Sequence, residues 1–387
     1  MVHAQGDEMM QYELIATSTF GIEAVVKREL VKLGFEVIRT ENGKVTFLSD
    51  LSGIARANIW LRSADRVLLK VGEFTAETFD ELFEKTKALN WGEYIPIDGK
   101  FTVNGKSVKS KLFSISDCQA IVKKAIVETL KQKYAVTWFD ESGADFTVLI
   151  SMLSDVATLT IDTSGAALHK RGYRIAPVEA PLKETLAASL IMLSYWNQDR
   201  TLYDVFCGSG TIPIEAAMIG KNIAPGLKRD FASKHWAFIG DDIWSHEIAT
   251  AKAAILSDVK LSIFAFDIDE NCIVAAKTNA EAAGVSDSIV FTQNDFKNVD
   301  YSIPYGILIT NPPYGERLSD DYNVNDIYNN MRPLFKKLET WSLYLLTSYE
   351  GFANLIAKKP DRERKLYNGN IETCYYQYYG PKPPILK

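Results

Sequence analysis

Leu202-Tyr203-Asp204-Val205-Phe206-Cys207-Gly208-Ser209-Gly210-Thr211-Ile212-Pro213 is the stretch whose reading decides the fold. An apolar run carrying one acid passes into a Gly-x-Gly turn, and a helical pattern with Pro213 in its first turn runs on to Gly220. The pattern predicts a strand over 201–206 and a helix over 213–219. Glycines at 208 and 210 let the backbone come close to a ligand at the carboxyl end of that strand, where open α/β sheets bind nucleotides. A Gly-x-Gly pair taken alone fits a plain structural turn equally well. A dinucleotide site would place Gly or Ala at 213 and an acid about 20 residues on. Position 213 is Pro, and the next acid at a strand end, Asp267, lies 57 residues beyond Gly210. No Gly-Lys-[Ser/Thr] follows the glycines, which excludes a P-loop.

The surrounding segments keep the same rhythm. Helical patterns at 184–195, 213–219 and 270–283 alternate with apolar strand patterns at 201–206, 262–267, 289–292 and 307–310. That alternation predicts a mostly parallel sheet covered on both faces, an α/β fold. Each strand end then offers chemistry. Asp267 closes one strand, where a carboxylate can accept from both ribose hydroxyls of an adenosine, while Asp269 suits the N-cap of the next helix. Asp295 and Phe296 follow another strand and suit an adenine amino group and its ring. Asn311-Pro312-Pro313-Tyr314 follows a third. Two prolines fix the backbone and remove two donors, the Asn311 amide oxygen and a proline-fixed carbonyl can accept from one amino group, and Tyr314 can stack on a planar base.

The first half reads differently. A strand at 12–17, a helix at 21–33 and strands at 35–38 and 44–48 about the Asn42-Gly43 turn form a small β-α-β-β unit. Helices at 53–61, 78–89 and 117–134, the last with Ser116 as expected N-cap, alternate with strands at 67–74 and 101–103. An antiparallel pair at 146–153 and 156–162 turns at Ser154-Asp155. This half is α+β. The boundary falls near 164–183, where Ile175-Ala176-Pro177-Val178-Glu179-Ala180-Pro181 reads as a stiff linker.

Composition sets the outer limits. The 387 residues are 47% hydrophobic and 24% charged, which implies two or three globular domains and excludes disorder. Four scattered cysteines without a C-x-x-C pair, and four histidines without ligand spacing, give no support for a disulfide framework or a metal site. No apolar run is long enough for a membrane span, and the first residues lack a signal-peptide pattern, so a cytoplasmic protein is expected. The net charge of −6 argues against nucleic acid on average. Yet residues 99–133 hold eight lysines against two acids, a local +6 that is either a phosphate-facing surface or a solvated helix face.

The order Asp204 to Thr211, Asp267-Ile268-Asp269, Asn294-Asp295-Phe296 and Asn311 to Tyr314 resembles class I S-adenosylmethionine-dependent methyltransferases that modify exocyclic amino groups. His169-Lys170-Arg171-Gly172-Tyr173-Arg174, Ala180 to Ala187 and an insertion containing Ala224 to Trp236 extend the likeness. With them the chain resembles THUMP-domain RNA methyltransferases of the bacterial 23S rRNA guanine-N2 type, often labelled N6-adenine-specific DNA methylases. The resemblance covers nearly the whole chain from Tyr12, and its insertion accounts for the 57-residue gap.

The resemblance implies a Rossmann-like class I methyltransferase domain preceded by an α+β ferredoxin-like plus THUMP region. It implies a leader and ferredoxin-like subdomain at 1–50, a THUMP domain at 51–165, a linker at 166–183 and the catalytic domain at 184–387, with the insertion at about 221–258. S-adenosylmethionine would lie against Thr185, Asp204, Phe206, Cys207, Gly208, Ser209, Gly210, Thr211, Asp267, Ile268, Asp295 and Phe296. Cys207 would be a packing residue there. Asn311, Pro312, Pro313 and Tyr314 would hold the target base. Lys106, Lys109, Lys111, Lys123, Lys124, His169, Lys170, Arg171 and Arg174 would face structured RNA, either 23S rRNA or a ribosome assembly intermediate. No metal is needed. Adenine-N6 methylation of DNA or RNA uses the same four base-pocket residues, and a non-catalytic RNA-binding protein is the remaining reading.

Overall fold

The computed structural model describes residues 11–176, 181–313 and 324–384, with side chains at all of these except 324 and 325. The first half runs β1 (Tyr12–Thr17), α1 (Glu23–Lys32), β2 (Glu36–Glu41), β3 (Lys44–Ser49), α2 (Leu51–Trp60), β4 (Arg66–Thr75), α3 (Phe79–Lys87), β5 (Lys100–Val108), α4 (Ile115–Tyr134), β6 (Asp145–Leu153) and β7 (Val156–Asp162). Its strands make one seven-stranded sheet in the order β2-β3-β1-β4-β7-β6-β5, antiparallel except where α4 crosses over between parallel β5 and β6. The β6–β7 hairpin turns on Ser154 and Asp155, both at positive φ, which matches the twist of the flanking strands. One expectation is corrected here. Helix α4 begins two residues earlier than its apolar spacing implied, so Ser114 and not Ser116 occupies its N-cap, without a side-chain cap bond.

The second half runs α5 (Glu184–Met192), β8 (Leu202–Asp204), α6 (Thr211–Gly220), α7 (Asp241–Ala253), β9 (Ile263–Asp267), α8 (Glu270–Ala283), β10 (Ile289–Gln293), β11 (Ile307–Thr310), α9 (Val324–Lys337), β12 (Ser342–Thr347), α10 (Phe352–Ile356), β13 (Arg362–Asn368) and β14 (Ile371–Tyr378). Its sheet order is β10-β9-β8-β11-β12-β14-β13, parallel from β10 to β12, with β14 antiparallel to both neighbours. Alternate residues of each central strand enter opposite cores. Leu202, Ile307, Ile309, Tyr344 and Leu346 face the layer shared with the first half, while Tyr203, Leu308, Leu343 and Leu345 face the other. The chain leaves β8 toward β9 on one side and returns to β11 on the other. The carboxyl ends of β8 and β11 therefore flank the topological switch point, where this architecture opens a crevice.

Residues of the 221–258 segment brace the two halves against each other. Arg56 on α2 donates to Glu247 on α7 at 3.0 Å. Trp236 stacks on Phe146 at 4.8 Å and donates to the Asp145 carbonyl at 3.1 Å, and the Ser233 amide donates to the Thr163 carbonyl at 3.0 Å. No helix among the described residues is long and apolar enough to cross a membrane.

Candidate active site

The glycine turn is built by its own backbone. Gly208 has φ +51° and Gly210 has φ +83°, conformations that side-chain-bearing residues rarely adopt. The two positions differ in what surrounds them. A Cβ at Gly210 would stand 3.0 Å from the Ala276 Cβ on α8, whereas a Cβ at Gly208 would meet nothing within 4 Å. The turn is thus packed hard at Gly210 and open at Gly208.

The acids around this turn hold it in shape. Asp267 Oδ2 accepts the Gly208 amide at 2.8 Å, and its Oδ1 accepts the Asp269 amide at 3.1 Å. Burial raises its pKa above the usual carboxylate range despite those bonds. Asp269 caps α8 by accepting the Asn271 amide at 2.9 Å. Asp204 is buried between β8 and β11: its Oδ1 accepts the Thr310 hydroxyl at 2.7 Å across the switch point, and its Oδ2 has no partner among the described residues. Burial pushes this carboxyl up to about 7. Asn311 Oδ1, one residue past Thr310, is likewise a buried acceptor without a partner among the described residues. The Asn311 amide oxygen at the end of β11 is thus left able to accept from a donor that enters the crevice.

The remaining positions sort as follows. Asp295 accepts the Lys297 amide at 3.0 Å and pairs with its ammonium at 2.9 Å. Phe296 is only 6% exposed, its ring 5.0 Å from that of Phe206, so little of it is free to face a base, while Ile268 stands half exposed at the rim. Burial holds Cys207 as a thiol, far from nucleophilic. Pro313 presents its carbonyl to the Tyr328 hydroxyl at 3.4 Å, and that hydroxyl also bonds Thr347 Oγ1 at 2.6 Å, which ties the Asn311 segment to the end of β12. Tyr314 lies outside the described residues.

Several expectations change. Thr185 is 2% exposed and gives its hydroxyl to Asp65 of the first half at 3.3 Å, so that hydroxyl belongs to the contact between halves. Arg171 is also 2% exposed and pairs with fully buried Glu215 on α6 at 3.3 Å, which removes it from any RNA surface. Arg174 turns inward as well. It donates to Glu184 at 2.8 Å, Ser209 Oγ at 3.0 Å, the Leu182 carbonyl at 3.0 Å and Thr211 Oγ1 at 3.1 Å. Burial and the nearby Lys183 ammonium push His169 down to about 4, so it is neutral near pH 7 and offers phosphate no charge. Of the basic set, Lys106, Lys109, Lys123, Lys124 and Lys170 remain exposed, and exposed Lys111 is paired with Glu77. The sequence reading missed Asn279, a wholly buried amide on α8 that contacts Ser209. A polar amide inside a helix that has an apolar core face is the signal that marks it.

Residues 171–377 match the family described as RMKL-like, methyltransferase domain, more than half of the chain. The chain belongs to this RMKL-like methyltransferase family. It is accordingly an S-adenosylmethionine-dependent methyltransferase, with residues 13–68 matching an RlmL ferredoxin-like domain and 76–162 a THUMP domain. This RMKL-like chain is 51% identical over 381 residues to "Putative RNA methyltransferase YpsC" of Bacillus subtilis, covering 98% of itself and 99% of that protein. It is 32% identical over 373 residues to "Ribosomal RNA large subunit methyltransferase K/L" of Shewanella sp. (strain W3-18-1), covering 94% of itself but only 52% of that protein. A solved structure titled SMU.472, a putative methyltransferase complexed with SAH, superposes with a TM-score of 0.91 at 43% identity, covering 97% of this chain and 99% of that one. The open Gly208 position fits such a cofactor.

Proposed function

We propose that the chain methylates the N2 amino group of a guanine in 23S ribosomal RNA. The observation that carries the reading is the Asn311 oxygen, unpaired among the described residues, at the end of β11 next to β8 and its glycine turn, in the crevice of the sheet. The K/L relatives act, by name, on ribosomal RNA of the large subunit, and the THUMP match supports an RNA partner. The preference for guanine rests on the family resemblance of the sequence.

The cofactor supplies an electrophilic methyl carbon on a sulfonium centre. It would be held by the Gly208 to Gly210 turn, with Asp267 toward the ribose and Asp295 and Ile268 toward the adenine. The chain's own task is to make a poor nucleophile competent, because the lone pair of a purine amino group is delocalised into its ring. Asn311 Oδ1 and the Pro312 carbonyl accept the two amino hydrogens, which favours a pyramidal nitrogen and stabilises the positive charge that develops there. Pro312 and Pro313 lack N–H groups, so this edge of the pocket presents acceptors alone. The family resemblance gives Tyr314 the role of stacking on the base. The Thr310–Asp204 bond fixes where Asn311 begins. Proton loss follows methyl transfer and requires no strong base. RNA reaches the pocket from a surface that includes Lys106, Lys109, Lys123, Lys124 and Lys170, exposed positions suited to phosphates.

The test is transfer of labelled methyl groups to 23S rRNA, to assembly intermediates and to duplex DNA. The expected product is N2-methylguanosine in RNA, with Asn311→Ala slowed at least 100-fold at unchanged RNA affinity. Label in N6-methyladenine would establish the adenine reading, and no transfer to any substrate would leave the binding-protein reading.

A further inference from the structure

We infer that Arg174 and Asn279 are positioning residues for the cofactor, which set the glycine turn by bonding it to the segment that enters the catalytic half. The inference rests on the reading that Gly208 to Gly210 hold the cofactor.

Asn279 uses its whole side-chain amide. Its Oδ1 accepts the Ile175 and Ala176 amides at 3.0 and 2.9 Å, and its Nδ2 donates to the Ala176 and Ser209 carbonyls at 3.0 and 3.2 Å. One amide thus acts as a strand residue inserted between residues 175–176 and the turn. Three positions earlier on the same face of α8, Ala276 supplies the floor against which Gly210 is pressed. A larger residue at 276 would lift the turn, and without Asn279 Ser209 would have no tether to α8.

Arg174 closes the arrangement from the other side. Its guanidinium reaches the hydroxyls of both Ser209 and Thr211, the residues that flank Gly210, while Glu184 of α5 holds it in place. Ser209 and Thr211 are 3% and 4% exposed, so their hydroxyls face this arginine and not the open side of the turn. Neither Arg174 nor Asn279 has a bond to Gly208, the position that is open to a ligand. Their effect on the cofactor is exerted through the placement of the turn. The preceding residues carry the same connection outward: the Tyr173 hydroxyl donates to Glu215 at 3.2 Å, and Arg171 pairs with Glu215 while donating to the Arg62 carbonyl of the first half. A continuous set of bonds therefore runs from the end of α2 to the cofactor turn.

Two conservative variants of the full chain test this. Asn279→Asp keeps the shape and both accepted bonds but loses both donated ones, which places one carboxylate oxygen against the Ala176 and Ser209 carbonyls. Arg174→Lys keeps the charge but loses the fork that spans Ser209, Thr211 and Glu184. Calorimetric titration with S-adenosylmethionine and with S-adenosylhomocysteine is expected to show Kd raised at least tenfold in each. RNA affinity should stay within twofold, and kcat at saturating cofactor within about threefold. Gly208→Ala serves as the marker of the cofactor site itself. Cofactor Kd within twofold of wild type in both variants would overturn the inference, and so would parallel weakening of cofactor and RNA binding, the mark of general loosening. Full cofactor affinity in Gly208→Ala would overturn the underlying placement of the cofactor, and the inference with it.

Discussion

Gly208 and Gly210 are two residues apart, share a positive φ and should respond oppositely to the same substitution. An alanine at 210 is forced into the left-handed region, at about 1–2 kcal/mol. Its Cβ also lands 3.0 Å from Ala276 Cβ and 3.3 Å from both Ala276 Cα and Ile214 Cδ1, where overpacking costs about 1–3 kcal/mol. Gly210→Ala should therefore lose about 2–5 kcal/mol of stability. At 208 the backbone cost of about 1–2 kcal/mol remains, but the added methyl group meets nothing. That methyl group instead occupies the space assigned to the cofactor. Gly208→Ala should unfold in urea within about 2 kcal/mol of wild type, yet lose at least 100-fold in S-adenosylmethionine affinity, about 2.7 kcal/mol. Urea denaturation and calorimetric titration on both variants give the comparison. The reasoning is refuted if Gly208→Ala binds the cofactor like wild type, or if it is the less stable of the two.

Further outcomes follow from the same geometry. Glu215→Ala leaves the Arg171 guanidinium buried without its carboxylate and should cost about 3–5 kcal/mol in urea denaturation, with Glu215→Gln milder. Asp204 is near 3.8 when unfolded and about 7 when folded, so the folded state holds its proton through the interval between. Its share of stability, about 4 kcal/mol, is full below pH 4 and is lost as pH climbs toward 7. The stability difference between wild type and Asp204→Asn should drift by that order across this range, and a flat difference would contradict the buried state of Asp204. Replacing Lys106, Lys109, Lys123 and Lys124 by Ala should flatten the dependence of log RNA affinity on log salt by about 0.7–0.9 for each lysine that contacts a phosphate. An unchanged slope would move the RNA surface elsewhere.

Much of the catalytic sheet was legible in the sequence because its signals are local. The apolar runs at 201–206, 262–267 and 307–310 become β8, β9 and β11, the first ending two residues early at Asp204, and Asp269 is the N-cap of α8 as its spacing implied. The hairpin at Ser154-Asp155 follows from apolar-rich strands on either side of two polar residues. What escaped depends on partners distant in sequence. Arg171 and Arg174 read as one basic surface with Lys170, because nothing local reveals that Glu215, 44 positions away, buries one and that the Ser209 and Thr211 hydroxyls capture the other. Thr185 faces Asp65 across 120 positions for the same reason. The β13–β14 hairpin went unread because Arg362–Asn368 alternates charges without an apolar face of its own, and it takes its place only by pairing with β14.

The central claim is that this RMKL-like methyltransferase modifies a guanine amino group in 23S rRNA through Asn311. Nucleoside mass spectrometry of 23S rRNA from a deletion strain tests it most directly. Loss of one N2-methylguanosine is expected, restored by the wild-type gene and not by Asn311→Ala. An unchanged N2-methylguanosine content, or full restoration by Asn311→Ala, would contradict it.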